Sequence, residues 1–221
     1  MIKYLFGDLF KNPGALFETV GRYNEAIWPM QVIGYVLGII AIFWGIKRIK
    51  YSDNIIMLIL SIFWLWAGLV FCIIFFAPDY KVFYILGPLV IIQGILLLFF
   101  GLRSYKLLPL FTFRVDMYGI IGAIYILYAL IIYPFIGYLT GYPCSNYPVF
   151  GVAPCPVCIF TFGLFMWARK RLPIGIIVIP LIESVTGIIP SVLGLYADIG
   201  LVIGGIGGFL LILHKNRKMQ E

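Results

Sequence analysis

The chain has 221 residues, 63% of them hydrophobic and 11% charged, with a mean hydropathy of +1.07. A soluble domain of this length cannot bury so much apolar surface, which excludes the ordinary water-soluble classes and makes the lipid bilayer the expected partner. The net charge of +7 would suggest nucleic acid in a soluble protein, but here the basic residues stand in short clusters between long uncharged runs, which is a membrane topology signal.

In chain order, residues 1–25 have no sustained apolar core and no small-residue cleavage site before Asp8, so no removable signal peptide is expected. The pieces IKYLFGDLF and GALFETVGRY flank KNPG and read as short interfacial amphipathic helices. A helix needs about 20 mainly apolar residues to cross the hydrocarbon. Uncharged runs of that kind cover 26–46, 55–78, 82–102 and 117–139. A fifth runs into Ala168 and stops at RKR; 155–168 alone is too short to span, so this crossing is expected to begin as an extended or broken segment near Tyr147. The stretch 172–213 accommodates two further helices, split between Pro190 and Asp198. The fold class is therefore an all-α polytopic transmembrane bundle of about seven crossings. It forms one membrane domain, with an interfacial segment 1–25, a bundle 26–213 and a basic tail 214–221.

Charge placement supports that count. Twelve of the sixteen basic residues lie in four clusters, at 47–50, 103–114, 169–171 and 215–218, each after an odd-numbered crossing. The positive-inside rule assigns that side to the cytoplasm of a plasma (inner) membrane, with the N-terminus outside. A six-crossing arrangement is the alternative, and it would put the HKNRK tail on the wrong side. On the seven-crossing reading Cys72, Cys144, Cys155 and Cys158 all lie toward the outer face. The charge-free loop TGYPCSNYPVFGVAP is expected to pack against the bundle, because prolines at membrane depth need protein or water around their unsatisfied neighbours.

Several residues break the apolar pattern. Glu183 lies in IIVIPLIESVTGIIP, where an acid costs about 2.5–3.5 kcal/mol at mid-membrane and must face the interior, find a partner or hold a proton. It is a candidate proton or cation site, or equally a structural acid bonded to a neighbouring helix. Pro180 frees a carbonyl one turn before it, and Thr186 is within helical reach. In GRYNEAIWPMQ, Asn24, Glu25 and Trp28 either reach a ligand or serve as helix cap and interfacial anchor. Gln93 reads as an interhelical hydrogen bond, and Gly200, Gly204 and Gly208 as a packing ridge. His214, the only histidine, falls in the basic tail. Zinc-hydrolase, carboxylate-dyad, Walker and dinucleotide signatures are absent from the sequence.

The cysteines leave three readings open. Cys155 and Cys158 could form a redox pair at a helix start, with Cys144 as partner. This resembles membrane thiol oxidoreductases of the vitamin K epoxide reductase type, although the chain has one loop cysteine where that pattern has two, and more crossings. Cys72, Cys155 and Cys158 could instead converge on a soft metal ion. Or the cysteines are structural, as small apolar residues or one loop disulfide.

The stretches RYNEAIWPMQVIGYVLG, WLWAGLVFCIIFFAP and YPVFGVAPCPVCIFTFGL resemble an uncharacterised family of prokaryotic multi-pass membrane proteins, domain of unknown function 6064. The resemblance covers nearly the whole chain and implies no activity. It implies that His often stands at the place of Cys72 and Thr at that of Cys158, whereas Cys155 matches, so a redox pair would be peculiar to this member. The functional expectation is binding or passage of a small solute or ion through an outer-facing cavity built from the first two helices, the proline-rich loop and the fifth helix. Asn24, Glu25, Trp28, Thr161 and Glu183 are the candidate binding residues, and Cys72, Cys155 and Cys158 the candidate soft-metal ligands. A structural or accessory membrane role, with a homo-oligomer or a membrane partner, is the alternative; a thiol-disulfide oxidoreductase is the second. Enzymatic chemistry has the least support.

Overall fold

The computed structural model describes residues 14–102, 110–141 and 143–219. The piece IKYLFGDLF and the Cys144 side chain lie outside the described residues. The remainder is a helical bundle: α1 (Gly14–Ala26), α2 (Met30–Ile46), α3 (Ser52–Phe76), α4 (Phe83–Leu102), α5 (Met117–Leu139), α6 (Pro154–Met166), α7 (Ile174–Val192) and α8 (Ala197–Lys218). Five of them, α3, α4, α5, α7 and α8, are long and apolar enough to cross a membrane, and the count is six if α1 and α2, bent by 83° at their joint, are taken as one broken span. Val36, Ile39 and Phe43 on α2, Ile92, Ile95 and Phe99 on α4, and Ile199, Ile203 and Leu210 on α8 are each between 47% and 70% exposed. Spaced by three, four or seven residues, they give these helices apolar outer faces that suit hydrocarbon rather than water.

The short helix α6 is the centre of the bundle. Thirteen residues at about 1.5 Å each span about 20 Å, less than the ~30 Å of the hydrocarbon. Residues 147–153 form a broken rather than an extended entry, turning where the Ala153 amide donates to the Val149 carbonyl at 3.1 Å, with Tyr147, Phe150, Val152 and Ala153 buried. Every residue from Pro156 to Met166 is buried, because α3, α5, α7 and α8 pack around it. Small residues permit this. A side chain on Gly163 would put its Cβ 2.8 Å from the Gly122 carbonyl oxygen of α5. At Gly151 the backbone takes φ +84°, and a Cβ there would lie 2.6 Å from the Gly34 Cα of α2, so only glycine fits.

Prolines stand inside three crossings, at Pro88 of α4, Pro134 of α5 and Pro180 of α7, and side chains from neighbouring helices repair the last two. Pro180 has no N–H for the Ile176 carbonyl; Gln93 of α4 donates to it instead, 2.9 Å away. Pro134 likewise leaves the Leu130 carbonyl free, and the Tyr35 hydroxyl of α2 donates to it at 3.1 Å. The expected ridge on α8 receives aromatic side chains, with Gly200 and Gly204 facing Tyr128 and Tyr125 of α5 and Gly208 facing Phe162 of α6.

The end of the bundle that carries Arg169–Arg171 is tied together by polar groups. Lys215 Nζ donates to the Met166 and Ala168 carbonyls, 2.6 Å each, closing the last turn of α6. Asn216 exchanges two bonds with the Leu172 backbone. Asp116 caps α5 through the Gly119 amide at 2.8 Å and pairs with Arg169 at 3.3 Å. Asp53 accepts from the Phe111 amide at 2.6 Å. Part of the basic tail, Lys215 and Asn216, is thus built into the fold.

Candidate functional site

At the opposite end, α1 lies across the bundle rather than at an interface alone. Its apolar face, including Phe17 and Val20, is buried. Tyr23 donates to the Val152 carbonyl at 2.6 Å and accepts from the Trp66 indole at 3.0 Å. Asn24 is inside α1, so it does not cap the first crossing. Its Nδ2 donates to the Ser145 and Tyr147 carbonyls at 2.6 and 2.9 Å, which pins the proline-rich loop. Arg22 pairs with Asp79 at 2.9 Å and ties α1 to the turn between α3 and α4.

Beneath α1 lies a cavity of about 230 Å³. Its walls come from α1, the end of α3, the start of α4, the loop at Pro148, the start of α6 and the second half of α7. The expected contribution of α2 is not seen; α4 and α7 take its place. Phe17, Phe71, Phe76 and Phe83 give the walls an aromatic character, and Cys72, Cys155 and Glu183 stand among them.

Glu183 is 5% exposed, and its carboxyl has no hydrogen-bond or ion-pair partner among the described residues. Thr186 bonds the Glu183 backbone carbonyl at 2.7 Å and leaves the carboxyl alone. An acid so placed is costly unless something else satisfies it.

A second buried acid, Asp198 in the first turn of α8, lies within electrostatic reach of Glu183. It is fully satisfied: the Tyr133 hydroxyl donates to Oδ1 at 2.6 Å and the Cys155 thiol to Oδ2 at 3.4 Å. Sequence reasoning placed Asp198 at the boundary between the last two crossings and missed this role. The available signal was an acid in an otherwise uncharged stretch; its partner Tyr133 lies 65 positions away in another helix. Two π-helical stretches border the site. One, Ala67–Phe76, contains Cys72, and the other, Tyr128–Ile132, ends at Tyr133. Wide turns of this kind are frequent at functional positions.

The remaining candidates are dispersed. Thr161 accepts from the Trp64 indole at 2.9 Å and donates to the Val157 carbonyl at 2.8 Å, a structural arrangement inside the core. Cys158 bonds the Pro180 carbonyl at 3.2 Å and meets the Ser184 hydroxyl at 3.4 Å, so its sulfur and that of Cys155 have different partners. Glu25 is exposed and Trp28 is 70% exposed, both away from the cavity walls. Among the described residues no three His, Cys, Asp or Glu side chains gather in a way that could hold a metal ion; Cys72, Cys155 and Cys158 do not form a ligand set. Nor does either sulfur of the Cys155–Cys158 pair have a cationic hydrogen-bond partner to favour a thiolate.

The family model of DUF6064, a family of unknown function, matches residues 14–221. No curated protein and no solved structure matches the chain.

Proposed function

Because the chain belongs to this family of unknown function, membership supplies no activity, and we propose from the site alone that it is an integral membrane protein that binds a small solute in the cavity beneath α1. The observation that supports this is the Glu183 carboxyl, buried on a cavity wall with nothing in the described fold to satisfy it. Most buried polar groups find hydrogen-bond partners, as Asp198 does, and a few amide, hydroxyl and guanidinium atoms here do not; an acid in that position is the costliest case. Glu183 is the anchor for the solute's polar or positive group, and the phenylalanine-rich wall receives its apolar part. Asn24 and Tyr23 act at one remove, by holding the loop and α1 over the cavity.

We assign the end with Arg169–Arg171 and Lys215 to the cytoplasm on the positive-inside rule, which places the cavity toward the outer face. A reporter domain that is active only in the cytoplasm, fused after residue 221, is expected to be active. A fusion active only outside would reverse the assignment.

Native mass spectrometry of the full chain released from lipid nanodiscs, after incubation with a small-molecule extract, tests the binding. The wild type is expected to carry an adduct that is lost in Glu183→Gln and in the cavity-filling Val20→Phe. An adduct that survives both changes, or a wild type with none, would contradict the reading.

A further inference from the structure

The walls of the cavity also restrict the chemical class of its occupant, an inference that rests on the solute-binding reading above. Phe71, Phe76 and Phe83 line it as one connected aromatic group: Phe71 and Phe76 stack with centroids 4.0 Å apart, and Phe83 lies 5.2 Å from Phe76 and 6.3 Å from Phe71. The same walls hold a single acidic side chain, Glu183, 5% exposed and without a partner among the described residues.

Three classes of occupant can be compared. An inorganic cation must exchange most of its water for several oxygen ligands, and one carboxyl among phenylalanines does not provide them. A neutral apolar molecule would suit the rings but leave the acid buried and unanswered. An organic ammonium ion satisfies both features. Its charge pairs with the carboxylate, and the carbon atoms around the nitrogen spread that charge over surfaces that aromatic rings attract. Asp198 adds negative potential nearby, while its own oxygens are engaged by Tyr133 and Cys155.

We propose that the cavity binds organic ammonium ions, with the positive charge held between Glu183 and the rings of Phe71, Phe76 and Phe83.

Choline and its uncharged isostere 3,3-dimethylbutan-1-ol, titrated separately into the full chain in nanodiscs, test the assignment because the probes differ in charge and hardly in shape. Choline is expected to bind at least about tenfold more tightly. That preference is expected to disappear in Glu183→Gln and to shrink in Phe83→Leu, which keeps an apolar side chain at a half-buried position and so remains informative if the first variant fails to fold. Equal affinity for the two probes in the wild type overturns the ammonium assignment and leaves solute binding intact. Binding of neither probe also overturns it, and the native adduct measurement then separates a wrong ligand class, adduct present, from a cavity that binds nothing, adduct absent.

Discussion

Gln93 on α4 donates a hydrogen bond to the carbonyl of Ile176 on α7, 2.9 Å away and buried, and that carbonyl is the one Pro180 leaves without an intrahelical donor. The contact holds α7 in the register that presents Glu183, one turn beyond Pro180, to the cavity. Replacing Gln93 by leucine removes the donor and strands the carbonyl. The expected loss is about 1–2 kcal/mol of stability, read as a lower unfolding temperature in lipid nanodiscs. Unchanged stability would mean that the proline break needs no outside repair.

The loop over the cavity makes a second, separable prediction. Asn24→Leu removes both donors that pin Ser145 and Tyr147, and limited proteolysis is expected to cut the 141–147 region faster in this variant. Stability should fall by about 1–3 kcal/mol.

Glycine positions in the same loop are expected to differ sharply. Gly151→Ala forces a side chain into φ +84° and against the Gly34 backbone at 2.6 Å, for a cost of about 2–5 kcal/mol. Gly141→Ala has a similar φ, +79°, but open space around it, so only the backbone term of about 1–2 kcal/mol applies. Thermal unfolding of the two variants side by side distinguishes contact from conformation.

At the basic end, Asp116 provides a pH test. Burial opposes its charge, but the Gly119 amide and the Arg169 guanidinium outweigh this and hold its carboxyl below the usual range. A carboxyl with a lower pKa in the folded state contributes stability above its unfolded value of about 3.9, and that contribution disappears as pH falls through the folded value. Asp116→Asn keeps the helix cap and loses the charge. The wild type should therefore unfold at a higher temperature than Asp116→Asn near neutral pH, and the gap should close on acidification below about pH 4. No gap near neutral pH would assign the stabilisation to the cap alone, and a gap that does not close on acidification would contradict a role for the charge.

Much of the fold was legible because lipid imposes length and charge rules that act along the chain. The runs 55–78, 82–102 and 117–139 became α3, α4 and α5 with ends shifted by only a few residues. The broken entry before α6 followed from the shortness of that helix, and the Pro180 and Gln93 signals proved to be two halves of one contact. The site was legible only in part. Glu183 was visible because an acid stands out in an apolar run, whereas Asp198 resembled an ordinary helix-start residue until Tyr133 and Cys155 were placed against it. Asn24 and Thr161 carried the right chemistry for binding, but the pairing of helices gave the Asn24 amide nitrogen to backbone carbonyls and the Thr161 hydroxyl to an indole. Which of several polar groups remains unsatisfied depends on tertiary contacts, and no one-dimensional pattern encodes it.

The central claim is that the Glu183 carboxyl is held open to an apolar cavity while Asp198 is engaged by its neighbours. Labelling with dicyclohexylcarbodiimide, an apolar reagent for carboxyls in dry surroundings, followed by peptide mass spectrometry, measures this directly. Glu183 is expected to be modified and Asp198 spared, and prior saturation of the cavity with a bound solute is expected to protect Glu183. Modification of Asp198 with Glu183 untouched, or labelling of Glu183 that a bound solute leaves unchanged, would contradict the claim.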